Sequence, residues 1–180
     1  QAREHFIKEQ SRLQNPVYKA SALAAICDIY FGNRDWDQVN TWATQLAKAK
    51  LSSNQAARGL YQQGFANYQL KKYHDAAGIL EKVSPLEADL IWKTRASYLL
   101  GECYTVVKDH EKAGPAFEAA LPGLKGSDKT ECHYRLGVTR FILDDWTGAA
   151  EQFEAFLKSE PSTRPEDQKK ENPNIKESQL

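Results

Sequence analysis

The chain has 180 residues, 24 Lys and Arg against 24 Asp and Glu, and 41% hydrophobic and 11% aromatic side chains. A formal charge of zero with no basic block excludes the phosphate chemistry that holds nucleic acid, while the apolar share suffices for one core or for the continuous core of a repeat protein. No apolar run approaches the roughly 20 residues of a membrane-spanning helix, because the best candidate, residues 21–31, is broken by Asp28. Direct membrane insertion is therefore not expected, and the chain reads as soluble, in a cytoplasm or a bacterial periplasm.

The first residue is Gln, Met is absent, and no basic-then-apolar leader is present, so a mature chain or a segment of a longer protein is expected. Within residues 1–19, Ala2 and Phe6 sit at offsets suited to the second helix of a preceding hairpin, and Asn15-Pro16 follows as a break. That stretch reads as the last helix of a truncated repeat or as a capping helix. Four units then align over 20–53, 57–90, 94–127 and 130–161, with Cys27, Gly64, Gly101 and Gly137 spaced by 37, 37 and 36 residues.

Each unit divides into two halves of helical period. The first half carries stripes such as Leu100, Tyr104 and Val107, or Leu136, Phe141 and Leu143, and the second carries Ala76, Leu80 and Val83, then Ala113, Phe117 and Ala120, then Ala149, Phe153 and Phe156. A short polar turn separates the halves. Asp35, Asp109 and Asp145 precede the second helices as N-caps, with capping-box spacing from Asp35 to Gln38. Asp128 and Glu131 repeat that spacing at the start of the fourth unit, and Pro85, Pro122 and Pro161 stop the second helices. A mid-helix Gly costs about 1 kcal/mol relative to Ala, so its recurrence at 64, 101 and 137 indicates a close helix crossing, expected against Ala76, Ala113 and Ala149. Residues 162–180 offer only Ile175 and Leu180 as apolar side chains and read as a polar disordered tail or linker.

Hairpins of this kind bury their stripes only by stacking. The pattern resembles the tetratricopeptide repeat (TPR). Leu136, Gly137, Trp146, Ala149, Phe153 and Pro161 carry the likeness in the fourth unit, and Leu100, Gly101, Tyr104, Ala113, Phe117 and Ala120 in the third. The second keeps Gly64, Tyr73 and Ala76, with Gln63 and Leu80 departing from the consensus; the first keeps Ile26, Cys27, Tyr30 and Trp36, with Val39 in place of Ala. The resemblance implies an all-α, right-handed superhelix of tandem helix-turn-helix units.

No phosphate-binding, dinucleotide-binding, zinc-protease or nucleophile-elbow motif occurs. Cys27, Cys103 and Cys132 lack C-x-x-C spacing and read as buried apolar thiols. Cys132 and His133 are adjacent on a helix and so point about 100° apart, which makes neither a metal site nor a nucleophile–base contact. No catalytic residue, metal or cofactor is expected, and the chain is not expected to be an enzyme.

In such solenoids the first helix of each pair lines a concave groove. Tyr61, Tyr98 and Tyr134 share one register position there, with Ala24 in the first unit, and Phe31, Tyr68, Thr105 and Phe141 share another two turns further on. Arg58 and Arg95 are equivalent, Arg135 adjoins Tyr134, and Phe65, Glu102 and Val138 fall between the aromatic rows. Tyr and Arg are the residue types of binding hot spots. The resemblance implies a protein-protein interaction scaffold that takes a partner peptide or helix in this groove; the competing account packs the rings between repeats. The carboxylate clamp of some TPR proteins is not expected, since Ala24, Asp28, Tyr61, Phe65 and Glu102 stand at its positions. Alternative functions are homo-oligomerisation through stacked repeats, the regulatory arm of a larger enzyme, and a bacterial cell-envelope assembly adaptor, whose repeats residues 146–162 resemble.

Overall fold

The computed structural model describes residues 12–159. Among them, eight α-helices form four antiparallel hairpins: α1 (Pro16–Gly32) with α2 (Trp36–Leu46), α3 (Ser53–Gln69) with α4 (Tyr73–Leu80), α5 (Leu90–Val106) with α6 (His110–Ala120), and α7 (Gly126–Ile142) with α8 (Trp146–Ser159). Each helix packs on its successor, and α3 also packs directly on α1 and on α5. The fold is an all-α solenoid of tandem helix-turn-helix units. The segment around Ala2 and Phe6 and the tail 162–180 lie outside the described residues, whereas residues 16–19 are the first turn of α1.

Local chemistry sets the helix ends. Asn15 caps α1, its Oδ1 accepting from Val17 N at 2.9 Å, and Pro16 occupies the first helical position, where no amide hydrogen is needed. Ser52 and Gln55 cap α3 reciprocally: Gln55 N donates to Ser52 Oγ at 3.3 Å and Ser52 N donates to Gln55 Oε1 at 3.1 Å. Asp35, Asp109 and Asp145 cap the second helices by accepting from Gln38, Lys112 and Gly148 amides. The expected Asp128–Glu131 box is not formed: α7 starts at Gly126, so Asp128 lies inside its first turn, and Lys125 stands at the cap without a side-chain bond. Each first helix begins four residues ahead of the expected unit, at 16, 53, 90 and 126. At every first-to-second helix turn one residue takes the left-handed conformation, Arg34, Lys71, Lys108 and Asp144 with φ of 58°, 61°, 63° and 60°.

The core runs between the two helix layers. Leu23, Ile26, Val39 and Leu46 fill its first part, and Leu80, Leu99, Phe117 and Leu136 continue it. The recurrent glycines allow the close crossing, but not against the alanines. A β-carbon at Gly64, Gly101 or Gly137 would lie 2.6, 2.6 or 2.7 Å from Leu80, Phe117 or Phe153, the residue one turn beyond Ala76, Ala113 or Ala149. In the fourth first-helix stripe Leu136 is fully buried, whereas Phe141 and Leu143 are exposed. Pro85 follows a 3-10 turn over Glu81–Val83 rather than ending α4 directly, and Pro122 sits inside the 3-10 turn Leu121–Gly123; Pro161 lies outside the described residues.

Candidate functional site

The residues expected to line the groove divide into two groups with different neighbours. In the first half, Tyr61 and Phe65 of α3 join Phe31 of α1, Trp36 of α2 and Trp92 of α5 in one aromatic cluster. The Phe65 ring lies 5.3 Å from Phe31 and 5.5 Å from Trp36, and Tyr61 lies 6.0 Å from Trp92. Two guanidinium groups flank Trp92: Arg58 at 5.8 Å and Arg95 at 5.4 Å from the ring centre, within the range where the ring quadrupole attracts a cation. Arg58 is also held by Asp28, Nη2 to Oδ1 2.5 Å, and Asp28 accepts from Gln62 at 2.7 Å. Arg95 is exposed and has no acidic partner among the described residues.

In the second half, the tyrosines lean on their own hairpins. Tyr98 stands edge-on to Phe117 at 5.7 Å, and Tyr134 lies 5.5 Å from Phe156 and 6.2 Å from Phe153. Tyr68 packs edge-on against Tyr73 at 5.3 Å. The Tyr98 phenol is pushed up to about 12, first by burial and then by the nearby Glu102 carboxylate. Burial also raises Tyr61, with Arg95 working against it. Among the described residues the hydroxyls of Tyr61, Tyr68, Tyr98 and Tyr134 make no hydrogen bond. The rows thus contribute rings to packing and leave polar ends without a partner among the described residues.

Glu102, Glu131 and Arg135 form the ionic part of the site. Arg135 Nε lies 2.7 Å from Glu131 Oε1 and 3.4 Å from Glu102 Oε1. One guanidinium therefore serves two carboxylates. Glu102 Oε1 is buried without an aligned hydrogen bond, and its carboxyl is raised above the ordinary value, by burial first, with Arg135 pulling it down and Glu131 pushing it up. Val138 is half-buried. Phe141 is 53% and Trp146 58% exposed, edge-on at 5.0 Å, a pair that repeats Phe31–Trp36 in the first hairpin, where Phe65 covers it.

Between these groups a cavity of about 300 Å³ opens across three first helices. Tyr61, Phe65, Leu99 and Leu124 supply its apolar walls, and Tyr98 borders it. Arg95 of α5 and Asp128 and Glu131 of α7 supply its charged lining. The opening lies where α5 and α7 lack the close approach that α3 makes to α1 and α5. Sequence reasoning missed Trp92, Leu99, Leu124, Asp128 and Glu131 as residues of this region. Trp92 and Asp128 fall in the gaps between the units drawn from the repeat, yet both occupy the third position of a first helix.

The cysteines are structural. Cys27, Cys103 and Cys132 are free and fully buried, and burial pushes each thiol up to about 12. His133 Nδ1 lies 2.9 Å from Gln152 Oε1, away from the buried Cys132. Among the described residues no group of three His, Cys, Asp or Glu is arranged to hold a metal ion, and no helix is long and apolar enough to cross a membrane.

The sequence matches no protein-family model and no curated protein. Solved structures with the same architecture do match. MamA superposes with a TM-score of 0.69 at 18% identity, covering 96% of this chain and 90% of its own. The apo form of RapI gives 0.71 at 16%, covering 94% of this chain and 52% of its own. YrrB, reported as a TPR protein with an unusual peptide-binding site, gives 0.63 at 18%, covering 80% and 70%. These matches cover 80–96% of this chain, and the fold is that of a TPR-type solenoid.

Proposed function

We propose that the chain is a non-catalytic scaffold that holds a protein partner, as a peptide or a helix, in the concave groove formed by α1, α3, α5 and α7. The observation that carries this reading is the cavity of about 300 Å³ walled by rings and aliphatic side chains, with Arg95 and Asp128 in its lining and no ion pair for either among the described residues. A rigid, partly apolar concavity with a few unmatched polar groups is the usual form of a recognition site. Arg58, Tyr61, Phe65, Arg95 and Tyr98 would contact the partner in the first part of the groove. Tyr68, Glu102, Tyr134, Arg135, Val138 and Phe141 extend the surface toward its end. The peptide-binding site reported for YrrB supports the same use of the architecture.

The test is affinity capture from a lysate of the source cells with three baits: wild type, Tyr61→Ala/Tyr98→Ala, and Leu124→Trp. The second variant adds bulk at the cavity wall rather than removing contacts, and thermal melts select preparations of matched stability. A protein kept by wild type and lost by both variants is the expected result. Identical retention by all three would refute groove binding. Self-association is the second reading, favoured by the exposed Phe141–Trp146 pair. Sedimentation over a concentration range tests it, with Trp146→Ser expected to lower the association.

A further inference from the structure

We infer that the cavity between α3, α5 and α7 takes a bulky apolar side chain of the partner, with one or two basic residues next to it. This rests on the groove-binding reading and names the chemistry the groove selects.

The size of the cavity, about 300 Å³, sits at the small end of ligand sites and suits one large side chain rather than a whole helix. Tyr61, Phe65, Leu99 and Leu124 present it with apolar surface, which favours an aromatic or long aliphatic anchor. The charge around it is asymmetric. At equivalent register positions the groove carries Arg58, then Arg95, then Glu131, and Trp92 is followed one unit later by Asp128. The sign at this register position therefore reverses between α5 and α7.

On the α7 side of the cavity stand Asp128 and Glu131, and the one guanidinium paired with Glu131, that of Arg135, is also drawn to Glu102 of α5. Arg135 is shared between Glu131 and Glu102 and its contact with Glu102 is the longer, leaving Glu102 Oε1 buried without an aligned donor. Asp128 is exposed and has no cationic partner among the described residues. A basic side chain arriving beside the anchor supplies the missing positive charge. An acidic one would meet the carboxylates of Asp128 and Glu131, and like charges brought together oppose binding. Arg95, with its face over Trp92, keeps its donors for the main-chain carbonyls of the same segment.

The test measures binding of short fluorescein-labelled peptides in a Gly-Ser host by fluorescence anisotropy, with centres Phe-Lys-Lys, Phe-Glu-Glu and Ser-Lys-Lys. Phe-Lys-Lys should bind the whole chain more tightly than Phe-Glu-Glu by about fivefold, the upper value for one exposed ion pair, and more tightly than Ser-Lys-Lys by about tenfold, from burial of the ring. Asp128→Lys should shrink or reverse the preference for Phe-Lys-Lys over Phe-Glu-Glu, and Asp128→Asn should remove part of it while keeping α7 intact by circular dichroism. Glu111→Lys makes the same charge change on the second helix α6 and should leave the ranking unchanged. Equal binding of the three peptides, a preference for Phe-Glu-Glu, no saturable binding of Phe-Lys-Lys, or a ranking that Asp128→Lys and Asp128→Asn leave unaltered would each overturn the inference. Capture that Leu124→Trp abolishes, together with unranked peptides, would sink this inference and leave the groove-binding reading standing.

Discussion

Gly101→Ala is expected to destabilise the solenoid, and Gly78→Ala to stabilise it, although both replace a helical glycine by the best helix former. Helix propensity alone favours each substitution by up to about 1 kcal/mol. At Gly78, in α4, a β-carbon meets nothing within 4 Å, so that gain is realised. At Gly101, in α5, the β-carbon would lie 2.6, 2.7 and 2.8 Å from three atoms of the Phe117 ring. Phe117 is fully buried and already stands edge-on to Tyr98, so the ring has no free direction in which to retreat. Overpacking of this kind costs about 1–3 kcal/mol, and the rigid ring places Gly101→Ala toward the upper end. The net loss should be about 1–2 kcal/mol after the propensity gain is subtracted. Urea unfolding followed by circular dichroism measures both variants, and the difference in midpoint between them removes the shared propensity contribution. Equal midpoints for the two variants would refute the close approach of α5 to α6 through Gly101.

Three buried thiols pushed from 9.0 to about 12 should react with a thiol reagent roughly a thousandfold more slowly at pH 8 in the folded chain than in urea, since only the thiolate attacks; folded-state rates equal to those in urea would contradict their burial. The same shift makes the folded chain retain protons that the unfolded chain releases, so its stabilising contribution is whole below about pH 9 and is lost as pH rises from there toward about 12; midpoints that stay flat across pH 8 to 11 would count against it. Lys71, held at a φ of 61°, should tolerate Gly but not a β-branched residue, with Lys71→Gly more stable than Lys71→Val by about 1–2 kcal/mol in urea titrations; equal midpoints would show that the turn accommodates a β-branched residue without strain.

Packing positions and groove positions obey different constraints along the same helices, and this decides what the sequence made legible. The crossing residues are fixed by volume: Gly64 against Leu80, Gly101 against Phe117 and Gly137 against Phe153 repeat one spatial solution, so their period is visible in the chain. The tyrosine rows were visible for the same reason, because one ring face of Tyr98 and Tyr134 belongs to that packing. Asp128 lacks any such tie, and the ring contacts of Trp92 are with Tyr61, Arg58 and Arg95 of the first helices. The first helix α5 has 17 residues against 11 in its partner α6, about 25 Å against about 16 Å. The extra length lets the first turn overhang the second helix, where no ridge of the hairpin demands an apolar residue. Alignment on the packing period therefore starts each unit four residues late and leaves the overhang in the gaps. There the equivalent positions hold Gln55, Trp92 and Asp128, three different chemistries on one register. The part of the repeat in which Trp92 and Asp128 stand is therefore the part that periodicity reads least well.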